Sequence, residues 1–563
     1  MNRAGKNDLA LDWVWFLAWA LASSVWCVTA ASQLGATFDE PFYVSSGLEF
    51  WRTGSHRSLL KKGTMPLPMD LFTLPIYLWE RWQGVRFDPA LDLERLLPWA
   101  RAGTLVFWWL LLWHTWRIGR HLAGSWGGRL AVAWLASEPN LLAHASLATT
   151  DIAVTACLLA LLYHFRIGRE AGWIRRVGVP TLWFAATVLS KASGLVLGVV
   201  CLLVVEIERL LRAGKLSTAM IRPGIWQGFQ HGLERLRPFR RDLTGILVGG
   251  LVLVFIYSGS DWREEPSFVS WARGLPDGRG SQVMVWVSEH LRIFSNAGEG
   301  LVKQITHNIR GHGAYLLGQT HRRALWYYFP VLLTIKLTLP LLIIPVALAL
   351  TRPRSLVNWA NVAAATLLVW SLTFRVQIGI RLVLPLVALA SVGLAAAVVQ
   401  ASRDVSGWAK RVLIAGAGAG VPWTASAAVI VWPNGLSYVN ELWGGTSRGY
   451  LFVSESNYDW GQGLKELARW QLEHGVGPLK VWYFGTDPAL RTMPFTVVPL
   501  HVLPIRGGED VLPQVRGGYL AVSTTLLYGS KLTEAQERAA AYLRTRQPVA
   551  RTTTFLIYTF IRE

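Results

Sequence analysis

Long apolar runs, separated by arginine clusters or polar loops, dominate the first three quarters of the chain. A helix needs about 20 apolar residues to cross the hydrocarbon of a bilayer. Runs of this kind lie near residues 11–32, 99–117, 126–143, 148–166, 177–191, 193–207, 243–258, 327–350, 356–373, 382–400 and 411–432. They predict a polytopic α-helical membrane module over residues 1–432 with about 11 spans. Past residue 432 the pattern shortens. Helical periodicity at 461–473 and 532–545, with β-rich runs near 479–484, 517–525 and 552–560, predicts a small α/β domain over 433–563. Gly416, Gly418 and Gly420 fall inside the last apolar run, where close helix packing accounts for them better than nucleotide binding does.

Composition strengthens this picture, since 52% of residues are hydrophobic and 30 are Trp, a residue that gathers at membrane–water interfaces. The net charge of +20 comes without any zinc knuckle, basic zipper or aromatic RNA-binding motif, so nucleic acid is not expected as a partner. Topology accounts for the charge instead. With the N-terminus in the cytoplasm, Arg117, Arg120, Arg166, Arg169, Arg175, Arg176, Arg352, Arg354, Lys410 and Arg411 all fall on the inner side. Residues 33–98 and 259–326 then become external loops and 433–563 an extracytoplasmic domain. Residues 208–242, which include Lys215, Arg222 and Arg235, become a basic cytoplasmic loop, either simply solvated or drawn to anionic lipid. Cys27, Cys157 and Cys201 all sit in apolar runs and offer no disulfide framework.

Chemistry is therefore sought on the external face. Asp39 and Glu40 follow the first span directly, and a carboxylate at a low-dielectric boundary suits a general base, although an acidic pair can also cap a helix. Asp151 opens the fourth run, with Glu138 and His144 just before it; it is either a functional acid or a partner of the helix dipole, with Thr149 or Thr150 as cap. Lys191, Arg375 and Arg381 lie on the external side against the positive-inside trend, and each calls for an anionic partner. Lys191 and Arg381 are suited to a donor phosphate or to ion pairs with those same acids. His56, Arg57, Lys61 and Lys62, ahead of an amphipathic stretch from Asp70 to Trp82, read as snorkelling bases more readily than as donor contacts.

Several short motifs, in order, resemble the GT-C superfamily of polyprenyl-phosphate-dependent glycosyltransferases, close to protein O-mannosyltransferases and the aminoarabinose transferases of lipid A. They are FDEPFY at 38–43, EPNLLAHASLATTDIA at 138–153, LSKASG at 189–194, GHGAYLLGQ with WYYFPVLLTIKLTLPLL between 311 and 342, and QIGIRLVLPL at 377–386. LSYVNELWGG at 436–445 and SESNYDWGQGLKELARW at 454–470 resemble a bacterial carrier-dependent subgroup. The chain departs from the pattern at Gln377, Leu382, Asn434 and Gly435, which weakens any role for those loops.

The resemblance implies a GT-C-like cell-envelope enzyme of a bacterial inner membrane. It would move a hexosyl or pentosyl group from a polyprenyl-phosphate donor to a lipid, glycan or protein acceptor, with inversion. Asp39 would act as base or acceptor-orienting carboxylate with Glu40 beside it. Asp151, with His144, would line the cavity, and Lys191 and Arg381 would approach the donor phosphate. A divalent cation would suit the leaving phosphate, but no ligand set is recognisable. The C-terminal domain is expected over the site, where it would select the acceptor. Competing readings are a lipid or solute transporter, for which no inverted repeat is found, and a non-catalytic scaffold.

Overall fold

The computed structural model describes residues 3–561 except 214–235, 291, 293, 294, 478, 499, 501, 502, 508, 509, 530 and 531. Lys215, Arg222 and Arg235 of the basic loop lie outside the described residues. Five described helices are long and apolar enough to cross a membrane: Asp8–Gln33, Leu93–Ala123, Asp151–Gly168, Ile380–Asp404 and Gly407–Val431. Tyr328–Lys336 and Leu339–Thr351, bent by 114° at their junction, make a sixth if counted as one broken span. The set reads as an integral membrane protein. Other apolar runs form the helices Ser125–Ser137, Val179–Ser190, Gly194–Arg212, Arg237–Ser258 and Trp359–Ser371.

Two of the expected spans are interrupted, for physical reasons. The 126–143 run stops at Ser137: Glu138 is extended, its side chain caps Leu141 N–H, and Pro139 opens a separate short helix. Pro lacks the N–H that would continue the earlier helix. The 327–350 run breaks at Leu337 and Thr338, both extended. Backbone groups freed by such a break need partners away from water. Asn440 Nδ2 donates to the Thr334 and Leu337 carbonyls at 2.6 and 2.8 Å, and Asn140 Nδ2 to that of Lys336 at 2.6 Å. The buried Lys336 ammonium donates to the carbonyls of Leu436 and Asn457 at 2.8 and 2.7 Å, tying the break to the segment after the last span.

Asp151–Gly168 and Ile380–Asp404 are mostly buried and form the centre of the bundle, while the first and last spans are mostly exposed. Close approach in the bundle is clearest at Gly119, where a Cβ would stand 2.5 Å from the Gly127 carbonyl oxygen. The expected packing role of the glycines in the last span holds only for Gly420, which faces Pro340. Gly418 is turned to another side of the helix, and Gly416, one turn before Gly420 on the same face, has no neighbour close enough to meet a Cβ.

A two-stranded antiparallel ribbon pairs β1 (Ala314–Leu316) with β2 (Gln319–His321). Beyond the last span, five strands form one sheet: β3 (Leu479–Trp482), β4 (Phe495–Val497), β5 (Tyr519–Ser523), β6 (Ala550–Arg551) and β7 (Phe555–Thr559), in the order β4-β3-β5-β7-β6. β3 runs parallel to β4 and β5, and β7 antiparallel to β5 and β6. Alternating side chains bury both faces. Val481, Ala521 and Ile557 pack under the Leu464–Glu473 helix with Leu464 and Leu467, while Trp482, Val522 and Leu556 pack with Ala539, Ala540 and Leu543 of Glu534–Arg544. The two helices cover the two stretches of expected helical periodicity.

Candidate active site

The site is built on the loop that leaves the first span, and the chain after the last span holds that loop in place. Gly35 and Phe38 N–H donate to the carbonyls of Gln462 and Trp460, both at 2.9 Å, and Ala36 N–H donates to Asp487 Oδ2 at 2.8 Å. Thr486 Oγ1 donates to the Phe38 carbonyl at 2.6 Å, and the rings of Phe38 and Phe484 stack. The loop leads into the helix Glu40–Thr53 with Asp39 at its N-cap. The Asp39 side chain makes no capping bond to the backbone of the helix it precedes. Its Oδ2 accepts from Arg381 Nη1 at 3.0 Å and lies 3.4 Å from the Tyr43 hydroxyl. The Asp39 side chain keeps 26% exposure, against 0% for Glu40 and Asp151.

Arg381 reaches Asp39 because its own backbone is pinned. Asn457 Oδ1 accepts from Ile380 N–H at 2.8 Å, and the Ser456 hydroxyl donates to the Ile378 carbonyl. Gly379 between them has φ +146°, and a Cβ there would stand 2.3 Å from Ser456 Oγ, so only glycine lets the two loops close. The guanidinium lies 4.3 Å from the centroid of the Trp460 ring, a cation–π contact on a buried face. Asn457 and Trp460 belong to the SESNYDW stretch, and the periodicity of the sequence assigned them no role. Their signal was the polar–aromatic density of that stretch.

A second carboxylate–cation pair lies beside the first. Asp151 Oδ1 accepts from Lys191 Nζ at 2.6 Å, and Asp151 Oδ2 lies 4.0 Å from His144 Nδ1 without a hydrogen-bond partner. Thr150 makes no side-chain cap, and the buried Thr149 hydroxyl also lacks a partner, so local capping does not explain this acid. Both ring nitrogens of buried His144 and the Nε of Arg381 are likewise without protein partners. Burial pushes the His144 imidazole down to about 4, which keeps it neutral beside Asp151. Buried polar groups normally find partners, and a cluster that does not is suited to receive polar groups from a ligand.

Glu40, expected beside Asp39 as a catalytic acid, is placed differently. It is fully buried in a bidentate pair with Arg101 at 2.8 and 2.7 Å, and accepts further bonds from Thr37 N–H and Ala148 N–H, each at 2.8 Å. Burial acts to raise its carboxyl pKa, but the Arg101 charge and these hydrogen bonds outweigh it and hold the carboxyl below the usual range. Both oxygens are occupied, so Glu40 braces the loop. Arg101 was missed by the sequence reading; its signal was an arginine at the edge of an apolar run, which needs an anion. Within residues 33–98, Lys61 and Lys62 stay exposed, but His56 departs from the snorkelling reading. His56 is buried, stacked on Phe50, with Nε2 2.8 Å from Asp70 Oδ2, and Tyr257 donates to that same oxygen at 2.8 Å. Gln377 brackets Leu325 through its carbonyl and N–H, and Arg375 donates to the Ile309 carbonyl rather than to an acid. Among the described residues no three His, Cys, Asp or Glu side chains gather as metal ligands, so no side-chain set is assigned to a divalent ion.

No family model matches the chain, and no curated protein matches it. Among solved structures, the chain is similar to ArnT from Cupriavidus metallidurans bound to undecaprenyl phosphate, at 13% identity and a TM-score of 0.43 over 96% of this chain and 97% of that one. It is also similar to the Archaeoglobus fulgidus oligosaccharyltransferase in its apo form, at 12% identity and a TM-score of 0.45 over 92% of this chain and 72% of that one.

Proposed function

We propose that this protein is a membrane glycosyltransferase that moves a sugar from a polyprenyl-phosphate donor to an acceptor on the extracytoplasmic face, with inversion. The observation that carries the reading is Asp39: a carboxylate at the end of a span that caps no helix, stays partly exposed, and is oriented by Arg381 and Tyr43. The motif order read from the sequence supports the same chemistry.

In this mechanism an acceptor hydroxyl or amine donates a hydrogen bond to Asp39 and attacks the anomeric carbon. The new bond forms on the face opposite the phosphate as the bond from that carbon to the phosphate oxygen breaks. The acceptor proton passes to Asp39, and the electron pair leaves with polyprenyl phosphate. That phosphate is already a competent leaving group, so the protein supplies position and charge. Arg381 and Lys191 are the cations for the leaving oxygens, and each would exchange part of its present pairing for phosphate. His144, Thr149 and Asp151 carry buried polar atoms without protein partners, and these would serve hydroxyls of the sugar or acceptor. Glu40 takes no part in bond making and holds the Asp39 loop through Arg101.

The test is transfer of radiolabelled sugar from polyprenyl-phosphate donors by the purified protein in lipid, with wild type and Asp39→Asn compared. Asn keeps the shape and removes the charge. Loss of about 10²–10⁴-fold in rate by a folded Asp39→Asn protein is expected. No transfer by wild type from any such donor would turn the reading toward transport or a scaffold role.

A further inference from the structure

The end of the bundle far from Asp39 carries a cavity of about 980 Å³ between the ends of Asp151–Gly168, Val179–Ser190 and Arg237–Ser258. Asp151 and Gly168 bound one helix, so the cavity and the candidate active site are separated by about 26 Å at 1.5 Å per residue. Arg169, Arg176, Arg209, Arg237 and Arg241 line it. Three carboxylates temper them: Arg169 pairs with Glu206 and Asp242 at 3.0 and 2.9 Å, Arg176 with Asp242 at 3.2 Å, and Arg209 with Glu206 at 2.8 Å and, more loosely, with Glu170. Arg237 and Arg241 are exposed at the rim and form no ion pair among the described residues. The cradle is therefore built by carboxylates that hold three guanidinium groups in place, with two more left over for an anion. Guanidinium forks match phosphate oxygens, and basic clefts between membrane helices on the inner side suit anionic headgroups.

What lies beside the cradle narrows the ligand. Gly245 and Gly249 line the cavity, and a Cβ on either would meet Val177 or Thr181 at 3.3 and 3.0 Å, so the helix Arg237–Ser258 lies close against its neighbours there. From this point Val248, Val252 and Ile256 continue along that helix at four-residue intervals, all exposed, with exposed Leu182 on the facing helix. Trp173 and Ile174 stand exposed near the cavity mouth. A cationic cradle continuous with an exposed apolar stripe fits an amphiphile with an anionic head. We propose that this cavity is a binding site for the phosphodiester headgroup of an anionic phospholipid, with its acyl chains along the Val248, Val252 and Ile256 stripe. The site is independent of the transfer chemistry at the opposite end.

The test is native mass spectrometry of the full-length protein in detergent, titrated with phosphatidylglycerol and phosphatidylcholine of matched acyl chains. Wild type is expected to retain phosphatidylglycerol in preference, which needs no variant to observe. Arg237→Gln/Arg241→Gln should weaken that retention by at least about tenfold, while Arg322→Gln/Arg323→Gln, with the same loss of charge elsewhere, should bind as wild type does. Equal retention of the two lipids by wild type, or equal weakening by both double variants, would overturn the assignment. Displacement of bound lipid by millimolar inorganic phosphate would overturn it too, and would give the cradle to a free anion.

Discussion

Adjacent carboxylates, Asp39 and Glu40, meet opposite surroundings. Asp39 keeps one face toward solvent and shares a guanidinium, whereas Glu40 fills both oxygens inside the protein. Removing one partner of a buried ion pair strands the other charge, at about 3–5 kcal/mol. Glu40→Gln should therefore lower the thermal midpoint of the detergent-purified protein markedly, and Arg101→Gln added to it should recover part of the loss. A Glu40→Gln protein that melts like wild type but fails in transfer would return Glu40 to catalysis. Asp459 carries a pH effect. Burial pushes its carboxyl up to about 7, against hydrogen bonds from Thr525 and Gly461 N–H at 3.1 Å each. A carboxyl raised in the folded state binds more protons there than in the unfolded chain, so its contribution to stability falls as pH rises from about 4 to about 7. Unfolding followed across that range should show a shallower slope in Asp459→Asn. The residue types at the site were legible in the sequence as acids beside apolar runs and as bases that run against the positive-inside trend. Which acid stays open was not, because Asp39 and Glu40 differ by burial and partners, not by position along the chain.

At the scale of elements, interruptions of the helices matter more than the helices. The break at Leu337 and Thr338 places Lys336 where it can hold Leu436 and, inside SESNYDW, Asn457, and Asn440 closes the carbonyls that the bend exposes. Asn440→Leu keeps volume and removes the donor. It should destabilise the fold by about 1–3 kcal/mol for each carbonyl left unpaired, read as a lower thermal midpoint and as new protease sensitivity near residue 337. Unchanged melting would mean that the bend does not depend on the Asn440 amide and is held by Asn140, Lys336 and packing. Periodicity located the apolar runs but not these breaks, since a run of 24 residues such as 327–350 satisfies the length of a span whether or not it bends. Lys336, Pro340 and Pro139 were the visible hints, and a proline within a run marks a break only when the neighbouring chain supplies partners for the freed backbone.

At the scale of the molecule, the chain after the last span is part of the site. Trp460 lies on Arg381, and Gln462, Thr486 and Asp487 fasten the loop that presents Asp39. A chain ended at Trp432 should still insert its spans into membranes and yet give no sugar transfer, which membrane fractionation beside the radiolabel assay would measure. Full transfer with unchanged acceptor choice by that shortened chain would exclude the role. By itself the sequence determined the membrane character, the run of helices and short strands, and the order of acids and bases along the chain. Run length, strand alternation and side-chain chemistry are local properties. Only the tertiary structure decided that Arg381 meets Asp39 across 342 residues, that Arg101 meets Glu40 across 61, and that Lys191 rather than a helix cap holds Asp151. Those pairings depend on how helices pack and where they break, and a residue's charge and neighbours in sequence do not encode which distant charge will be brought to it.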